Sequence, residues 1–170
     1  MHAIDPTTAP PGTSADISPR PVLLVTLGVP FDSDAPGVAI QAAVESTYPL
    51  VIATIRAAAP SRARRAFPES VADPKHAECL RAVAQLAHPL GIATTILWVA
   101  GPRPLPALAS AIRERCPGLI VFGPDRRCIS RRRYAKAASV VCEARCLVWL
   151  APPFADDTRV PDVEAHTHGR

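Results

Sequence analysis

The sequence has no apolar run approaching the roughly 20 residues that a membrane-spanning helix needs. Its first residues include Asp5 and Asp16 rather than a basic stretch before an apolar segment, so no secretory signal is predicted. Apolar residues make up 48% of the 170 positions and charged residues 20%, which excludes a wholly disordered chain. We therefore expect a soluble, cytoplasmic protein that has no membrane partner.

The cysteines lack the spacing of a metal or redox site. None of the five belongs to a Cys-x-x-Cys pair, and only Cys142 and Cys146 are close together. Zinc would require two close pairs or a nearby cluster of histidines. Cys79 and Cys116 fall at apolar positions of helical patterns, where a free thiol packs as a small hydrophobic group. The sequence thus predicts structural thiols and no metal site.

Proline and charge are unevenly distributed. Of the 20 prolines, five lie in the first 21 residues and three in the last 20. These ends predict a flexible N-terminal arm over residues 1–20 and a flexible acidic tail over residues 153–170, flanking an α/β domain over residues 21–152. Within the domain, the segment from Val121 to Cys146 holds seven Arg or Lys and two acidic residues, whereas the net charge of the whole chain is +4. Positive charge is therefore a local feature that a function should explain.

Short apolar runs alternate with helical patterns along the domain. The runs cover residues 22–27, 50–55, 93–99, 119–122 and 146–150, and four helical patterns separate them. Continuous apolar strands joined by helices are typical of parallel sheets that are buried on both faces. The sequence therefore predicts an α/β fold, a three-layer α/β/α sandwich around a five-stranded parallel sheet. Ligands of such sheets bind beyond the carboxyl ends of the strands, which places Gly28 and its successors, residues 55–56, Gly101 and the segment 123–127 on the candidate rim.

The second half of the domain carries a more specific order of features. A helix rich in Ala and Leu is followed by a glycine, a strand, a Gly-x-Pro turn, a helix and a Leu-Ile-Val-x-Gly strand, here Leu80–Ala87, Gly91, Thr94–Val99, Gly101–Pro104, and Gly118–Gly123. This order and spacing resemble the universal stress protein family, and the resemblance extends over nearly all of residues 22–151. It implies a sheet of order 3-2-1-4-5 and a regulatory, stress-response role rather than an enzymatic one.

Many members of that family bind ATP through a glycine motif after the fourth strand: Gly, two residues, Gly, nine residues, then Gly-Ser or Gly-Thr. Counted from Gly123, the second glycine falls on Arg126 and the last pair on Lys136-Ala137, so only the first glycine is kept. The aspartate that the family carries after its first strand matches either Gly28 or Asp32. The resemblance therefore implies a divergent member with a degenerate motif. No cofactor is assigned, and any ATP binding is expected to be weak.

Arginines near the rim offer another way to hold an anion, because a guanidinium group binds phosphate bidentately. The solvated-surface interpretation of the same cluster also stays open. We predict no catalytic and no metal-binding residues, and we list as ligand-binding candidates Gly28, Asp32, Ile55, Gly123, Asp125, Arg126, Arg127 and Arg131. The alternatives are an enzyme of a related nucleotide-binding α/β family and a nucleic-acid accessory protein using the patch at 126–136. Nucleic acid is not the expected partner, because Tyr134 is the only aromatic residue near the patch for base stacking.

The fifth strand, Cys146–Leu150, should lie at an edge of the sheet. It contains neither Lys nor Pro to block pairing with another chain. Universal stress proteins commonly pair through this strand, so the resemblance implies a homodimer with Trp149 near the two-fold axis. The alternative is a monomer in which the acidic tail covers the edge.

Overall fold

The computed structural model describes residues 20–57 and 74–152. Within them the strands are β1 (Val22–Thr26), β2 (Leu50–Ala57), β3 (Thr94–Gly101), β4 (Leu119–Phe122) and β5 (Leu147–Leu150). The helices are α1 (Ala35–Ser46), α2 (Pro74–Ala87), α3 (Pro104–Arg115) and α4 (Arg131–Cys142), with short 3₁₀ turns at His88–Leu90 and Arg126–Cys128. The predicted acidic tail and nearly all of the predicted N-terminal arm lie outside the described residues, so the division into arm, domain and tail stays a prediction.

The five described strands form one parallel sheet in the order β3-β2-β1-β4-β5. This confirms the predicted sandwich and the predicted strand order. β1 is central, and Val22 is in register with Leu50 of β2 on one side and with Leu119 of β4 on the other. The chain therefore turns outward in both directions from β1, which creates a switch point between the carboxyl ends of β1 and β4.

Each face of the sheet has its own apolar core, because successive side chains of a strand point to opposite faces. Leu23 and Val25 belong to the core beneath α3 and α4, whereas Val22 and Leu24 belong to the core beneath α1 and α2. All four are essentially buried, and a fully buried Leu or Val side chain typically contributes about 1.5–3 kcal/mol. Both-face burial explains why β1 is a continuous apolar run.

The predicted boundaries hold to within a few residues, with one change of role. Cys116 is exposed and follows α3 rather than packing on its apolar face. It adopts a left-handed conformation at φ 44°, and its thiol donates to the carbonyl of Arg113 at 3.1 Å. The helical pattern assigned it one position too far, because the helix ends at Arg115. Across residues 20–57 and 74–152, no helix is both long and apolar enough to cross a bilayer.

Candidate functional site

The candidate site lies where β1 and β4 end side by side. From β1 the chain continues to α1 on one face of the sheet, and from β4 it continues to α4 on the other face. In open α/β sheets the loops that follow two such strands bound the ligand crevice. Here these loops are residues 27–34 after β1 and residues 123–130 after β4. These are called the first loop and the second loop below.

The first loop begins with a tight turn at Gly28. Thr26 Oγ1 donates to the carbonyl of Val29 at 2.6 Å, and Gly28 has φ +72°, a conformation that side-chain-bearing residues rarely adopt. A Cβ at Gly28 would lie 3.0 Å from Cγ of Arg56, so the stem of that arginine runs across the glycine. On the other side, the guanidinium group of Arg133 donates to the carbonyl oxygen of Leu27 at 2.8 Å.

The two loops are joined to each other by backbone hydrogen bonds. The N–H of Asp32 donates to the carbonyl of Gly123 at 2.9 Å, and the N–H of Asp125 donates to the carbonyl of Pro30 at 2.8 Å. Between them, Phe31 and Pro124 form an antiparallel bridge. The bridge brings Asp32 next to the second loop, so the alternative match of the family's aspartate to Asp32 also falls at the switch point.

Gly123 is required by packing against α1. A Cβ built on it would overlap the Cβ of Ala35, the first residue of α1. Its N–H donates to the carbonyl of Val25 at 3.1 Å, within the β1–β4 pairing. Gly123, the position that matches the first glycine of the family's ATP motif, is therefore required by packing, a reason that involves no ligand.

The carboxylate of Asp125 is an anion built into the second loop. Asp125 is buried at 8% exposure, and its Oδ1 accepts from the backbone N–H of Arg127 at 2.9 Å, which caps the 3₁₀ turn. The Arg127 side chain adds hydrogen bonds to Oδ1 at 3.2 Å and to Oδ2 at 3.3 Å, forming an ion pair. These bonds to the Arg127 guanidinium hold the pKa of Asp125 below its ordinary value, against the opposing effect of burial. Asp125 therefore has its ion-pair partner within its own loop.

The second loop has little backbone left for a phosphate. The N–H groups of Gly123, Asp125, Arg127 and Cys128 all donate within the protein, and Pro124 lacks an N–H by its chemistry. A glycine loop binds phosphate by turning several such N–H groups toward the anion. Those four N–H groups of the loop could join such a cradle only by giving up their present hydrogen bonds.

Arg126 lies on an aromatic side chain of α4. Its guanidinium carbon is 4.6 Å from the centre of the Tyr134 ring, a cation–π contact. The hydroxyl of Tyr134 donates to the carbonyl of Ala151 at 3.3 Å, and burial raises the pKa of that hydroxyl. Arg126 and Arg127 are thus both held by neighbours at the same rim.

Most of the predicted ligand-binding residues lie around this crevice. Gly28 and Asp32 lie in the first loop, and Gly123 through Arg127 form the second loop. Ile55 is fully buried in the apolar core, so only its backbone belongs to the rim. Arg131 is exposed at the first residue of α4.

Two residues at the crevice, Arg56 and Arg133, were missing from the predicted set. The sequence placed Arg56 on the candidate rim, directly after Ile55, but did not count it among the ligand-binding candidates. Arg133 stands 106 residues from Leu27, so its hydrogen bond to that carbonyl has no local signature in the sequence.

A hydroxyl and an imidazole are paired elsewhere in the molecule. Thr54 Oγ1 and His76 Nε2 are 2.8 Å apart, and the edge of Trp98 packs on the imidazole. Both side chains are buried, at 0% and 6% exposure, so a substrate cannot reach them and the pair is a core contact. Among the described residues, no three His, Cys, Asp or Glu are grouped to bind a metal ion.

No protein-family model matches the sequence, and no curated protein matches it significantly. Solved structures do share its fold. A protein of the universal stress protein family from Burkholderia pseudomallei is 22% identical with a TM-score of 0.51, and the match covers 78% of this chain and 96% of that one. A universal stress protein in complex with cAMP is 20% identical with a TM-score of 0.55, covering 78% and 97%.

A universal stress protein family protein from Arabidopsis thaliana, with AMP bound, is 18% identical with a TM-score of 0.52, covering 84% of this chain and 97% of that one. These likenesses extend over nearly the whole of each neighbour. The protein therefore has the fold of the universal stress proteins, as the sequence resemblance implied.

Proposed function

We propose that this protein is a divergent universal stress protein, a cytoplasmic regulatory module that binds a nucleotide or another phosphorylated small ligand weakly and catalyses no reaction. The observation that carries the proposal is the switch point of the sheet, where the first and second loops meet and the side chains of Arg133 and Arg127 lie at the strand ends. Neighbours of the same fold hold AMP or cAMP, which favours the nucleotide class over other phosphorylated ligands.

The hydrogen bonds and the charge of the second loop are the reasons to expect weak nucleotide binding. Four of its backbone donors are occupied, and the Asp125 carboxylate adds a negative charge to the loop. Arginine side chains supply the attraction instead, and each charge-assisted hydrogen bond contributes about 1.5–3 kcal/mol. The proposed lining is the predicted set, with Ile55 contributing backbone only: Gly28, Asp32, Gly123, Asp125, Arg126, Arg127 and Arg131.

Titration calorimetry with AMP and ATP tests the ligand. We expect dissociation constants in the high-micromolar range, or no measurable ATP binding. Replacing Arg126 and Arg127 together by Ala should weaken binding several-fold, because two positive charges leave the rim. The control double variant Arg132→Ala/Lys136→Ala removes the same charge from the exposed side of α4 and should have less effect. Sub-micromolar ATP binding would contradict the degenerate motif.

The edge of β5 supports a second part of the proposal, a homodimer. Leu147 and Leu150 are exposed on this edge strand, at 74% and 37%. Leu147 and Ala151 donate their N–H groups inward, to the carbonyls of Gly118 and Phe122 on the β4 side. Because alternate residues of a strand point their N–H groups to opposite sides, the N–H of Val148 faces outward, available to a second copy of the chain.

Light scattering on Val148→Pro tests the dimer. Proline removes the outward N–H and leaves the bonds to β4 in place, so we expect a folded monomer. Val148→Ala is the matched control, since it shortens the same side chain and keeps the N–H, and it should remain dimeric. A monomeric wild type, or a dimeric proline variant, would rule out pairing through this strand.

A further inference from the structure

We infer that the acidic tail, residues 153–170, folds back onto the arginines of the second loop and of the start of α4, where it competes with the phosphorylated ligand. The competition regulates the site described above, so this part of the inference rests on the proposed function. Two observations favour the tail as the occupant: the charge of the rim and the place where the tail begins.

The start of α4 concentrates positive charge. Arg131, Arg132 and Arg133 are its first three residues, and its first turn contains no acidic residue. The amino end of a helix carries a partial positive charge, so an anion is stabilising there and a cation is not. Residues 123–134 contain five arginines and one acidic residue, Asp125, whose carboxylate already pairs with Arg127. The rim therefore attracts an anionic segment.

The tail begins beside this charge. Leu150 is in register with Phe122, so the chain leaves β5 next to the start of the second loop. The N–H of Ala151 donates to the carbonyl of Phe122 at 3.1 Å, and the carbonyl of Ala151 accepts from the hydroxyl of Tyr134 at 3.3 Å. Tyr134 is the fourth residue of α4. These two bonds direct the chain out of the fold at the rim where the arginines lie.

Arg126 connects this exit point to the rim. Its guanidinium carbon is 4.6 Å from the centre of the Tyr134 ring. Stacking uses the face of the guanidinium group, and its N–H donors point outward in the plane, where a carboxylate can accept from them.

The tail carries its first acidic residues within reach of Arg126. Asp156 and Asp157 are the first charged residues after Ala151. Five residues span at most about 18 Å, so the Asp156 carboxylate stays near the exit point. The effective concentration of a segment tethered this closely is on the order of millimolar. That is enough to compete with a ligand that binds weakly.

The tail and the ligand use the same groups. Arg126 and Arg131 belong to the proposed lining of the ligand site, and a guanidinium group binds a carboxylate and a phosphate with the same donors. A ligand that binds only when the tail is away has its apparent affinity reduced by the fraction of time that the rim is open. This placement leaves the outer edge of β5 open to a second copy, unlike the alternative in which the tail covers that edge.

Tryptic cleavage after Arg159 tests the docking without any ligand, because a bound segment is cleaved only when it detaches. Mass spectrometry compares the full chain with two variants at low salt. Arg126→Ala/Arg131→Ala removes two arginines from the rim, whereas Arg132→Ala/Lys136→Ala removes the same charge from the side of α4 that faces away from Tyr134. We expect about three- to fivefold faster cleavage in the first variant and the wild-type rate in the second. Equal rates in all three proteins overturn the inference.

Calorimetry with AMP and inorganic pyrophosphate tests the competition, again in the full chain at low salt. Asp156→Asn/Asp157→Asn removes two carboxylates from the tail, and the control Asp5→Asn/Asp16→Asn removes the same charge from the N-terminal arm. We expect the tail variant to bind about three- to fivefold more tightly than the wild type, and the arm variant to stay within about 1.5-fold of it. Equal affinities of the tail and arm variants overturn the inference. This comparison leaves the rim intact, so it decides the question even if the rim variant does not fold.

The outcomes separate this inference from the proposed function. If neither the wild type nor the tail variant binds AMP or pyrophosphate, the proposed function is wrong, whereas the cleavage rates still decide whether the tail occupies the rim. Protection of Arg159 that is lost on dilution overturns docking within one chain and assigns the rim to the tail of a second copy. Faster cleavage in the rim variant together with tighter binding by the tail variant supports the inference.

Discussion

The first and second loops follow neighbouring strands of one sheet, yet their charged groups find different kinds of partner. In the first loop the backbone carbonyl of Leu27 accepts from Arg133, a side chain distant in sequence, and Gly28 makes room for Arg56. In the second loop the carboxylate of Asp125 accepts from Arg127, two residues away, and the backbone N–H groups bond within the protein. The first loop thus contacts arginines from other elements, whereas the carboxylate of the second loop pairs with an arginine of the same loop.

The comparison shows how two loops can hold the same place in a fold while the charged groups around them differ. Backbone N–H groups hold phosphate only when side chains stay out of the way, which is why glycine motifs are used for it. In the second loop Arg126 stands at the second glycine position, and four backbone N–H groups already donate to acceptors within the protein. Side chains from other elements still reach the end of β1: Arg133 of α4 donates to the carbonyl of Leu27, and the stem of Arg56 of β2 lies beside Gly28.

The largest expected effect comes from Gly123→Ala. The added Cβ would overlap Ala35 at the start of α1, so either the helix or the second loop must move. We expect the free energy of unfolding to fall by about 3 kcal/mol, as for a severe overpacking change. Urea denaturation measures it. Gly37→Ala in α1 is the control: its Cβ would meet open space, and it should gain up to about 1 kcal/mol. Equal stability of the Gly123 variant and the wild type would show that the second loop is not locked by α1.

Gly28→Ala should have a smaller effect on the first loop. Alanine at φ +72° costs about 1–2 kcal/mol, and the clash with Arg56 is with a flexible stem that can shift. Thermal melting should therefore show a moderate loss of stability. Gly28→Asn should be milder, since asparagine tolerates the left-handed region better. Equal stability of the Ala and Asn variants would mean that the left-handed backbone conformation is not the reason for a glycine at position 28.

The smallest effect is expected from Asp125→Asn, and it should depend on pH. The pKa of Asp125 is lowered in the folded protein, so its carboxylate stabilises the fold at pH values above about 3.9, the unfolded value. That contribution is lost as the pH falls through the folded pKa. At pH 7 we expect a deficit of about 1 kcal/mol, kept small because the Arg127 partner is 74% exposed.

Urea denaturation of the Asp125→Asn variant and the wild type between pH 7 and pH 3 checks this expectation. The two stabilities should converge below about pH 4. Asp34→Asn, at an exposed carboxylate before α1, is the control and should change stability little throughout. A deficit for Asp125→Asn that does not shrink in acid would mean that the ion pair is not its cause.

Prediction from the sequence succeeded where the signal is local and repeated. The run Val22–Leu27 and the later apolar runs identify strands because burial on both faces demands continuous apolar residues. The Asp125–Arg127 pair is equally local, since its partners are two residues apart. The role of Cys116 was wrong by one helical position, because periodicity alone does not mark where α3 ends.

Local pattern thus determined the alternation of strands and helices and the parallel sheet. Only the tertiary structure decided which charged groups meet at the crevice. Arg133 donates to the carbonyl of Leu27 because α4 packs on the face of the sheet that contains Leu27. Gly123 is needed because α1 begins in contact with it. Periodicity indicates which face of an element is buried. The hydrogen bond between Arg133 and Leu27, 106 positions apart, depends on how whole elements pack against each other, and no local pattern encodes that.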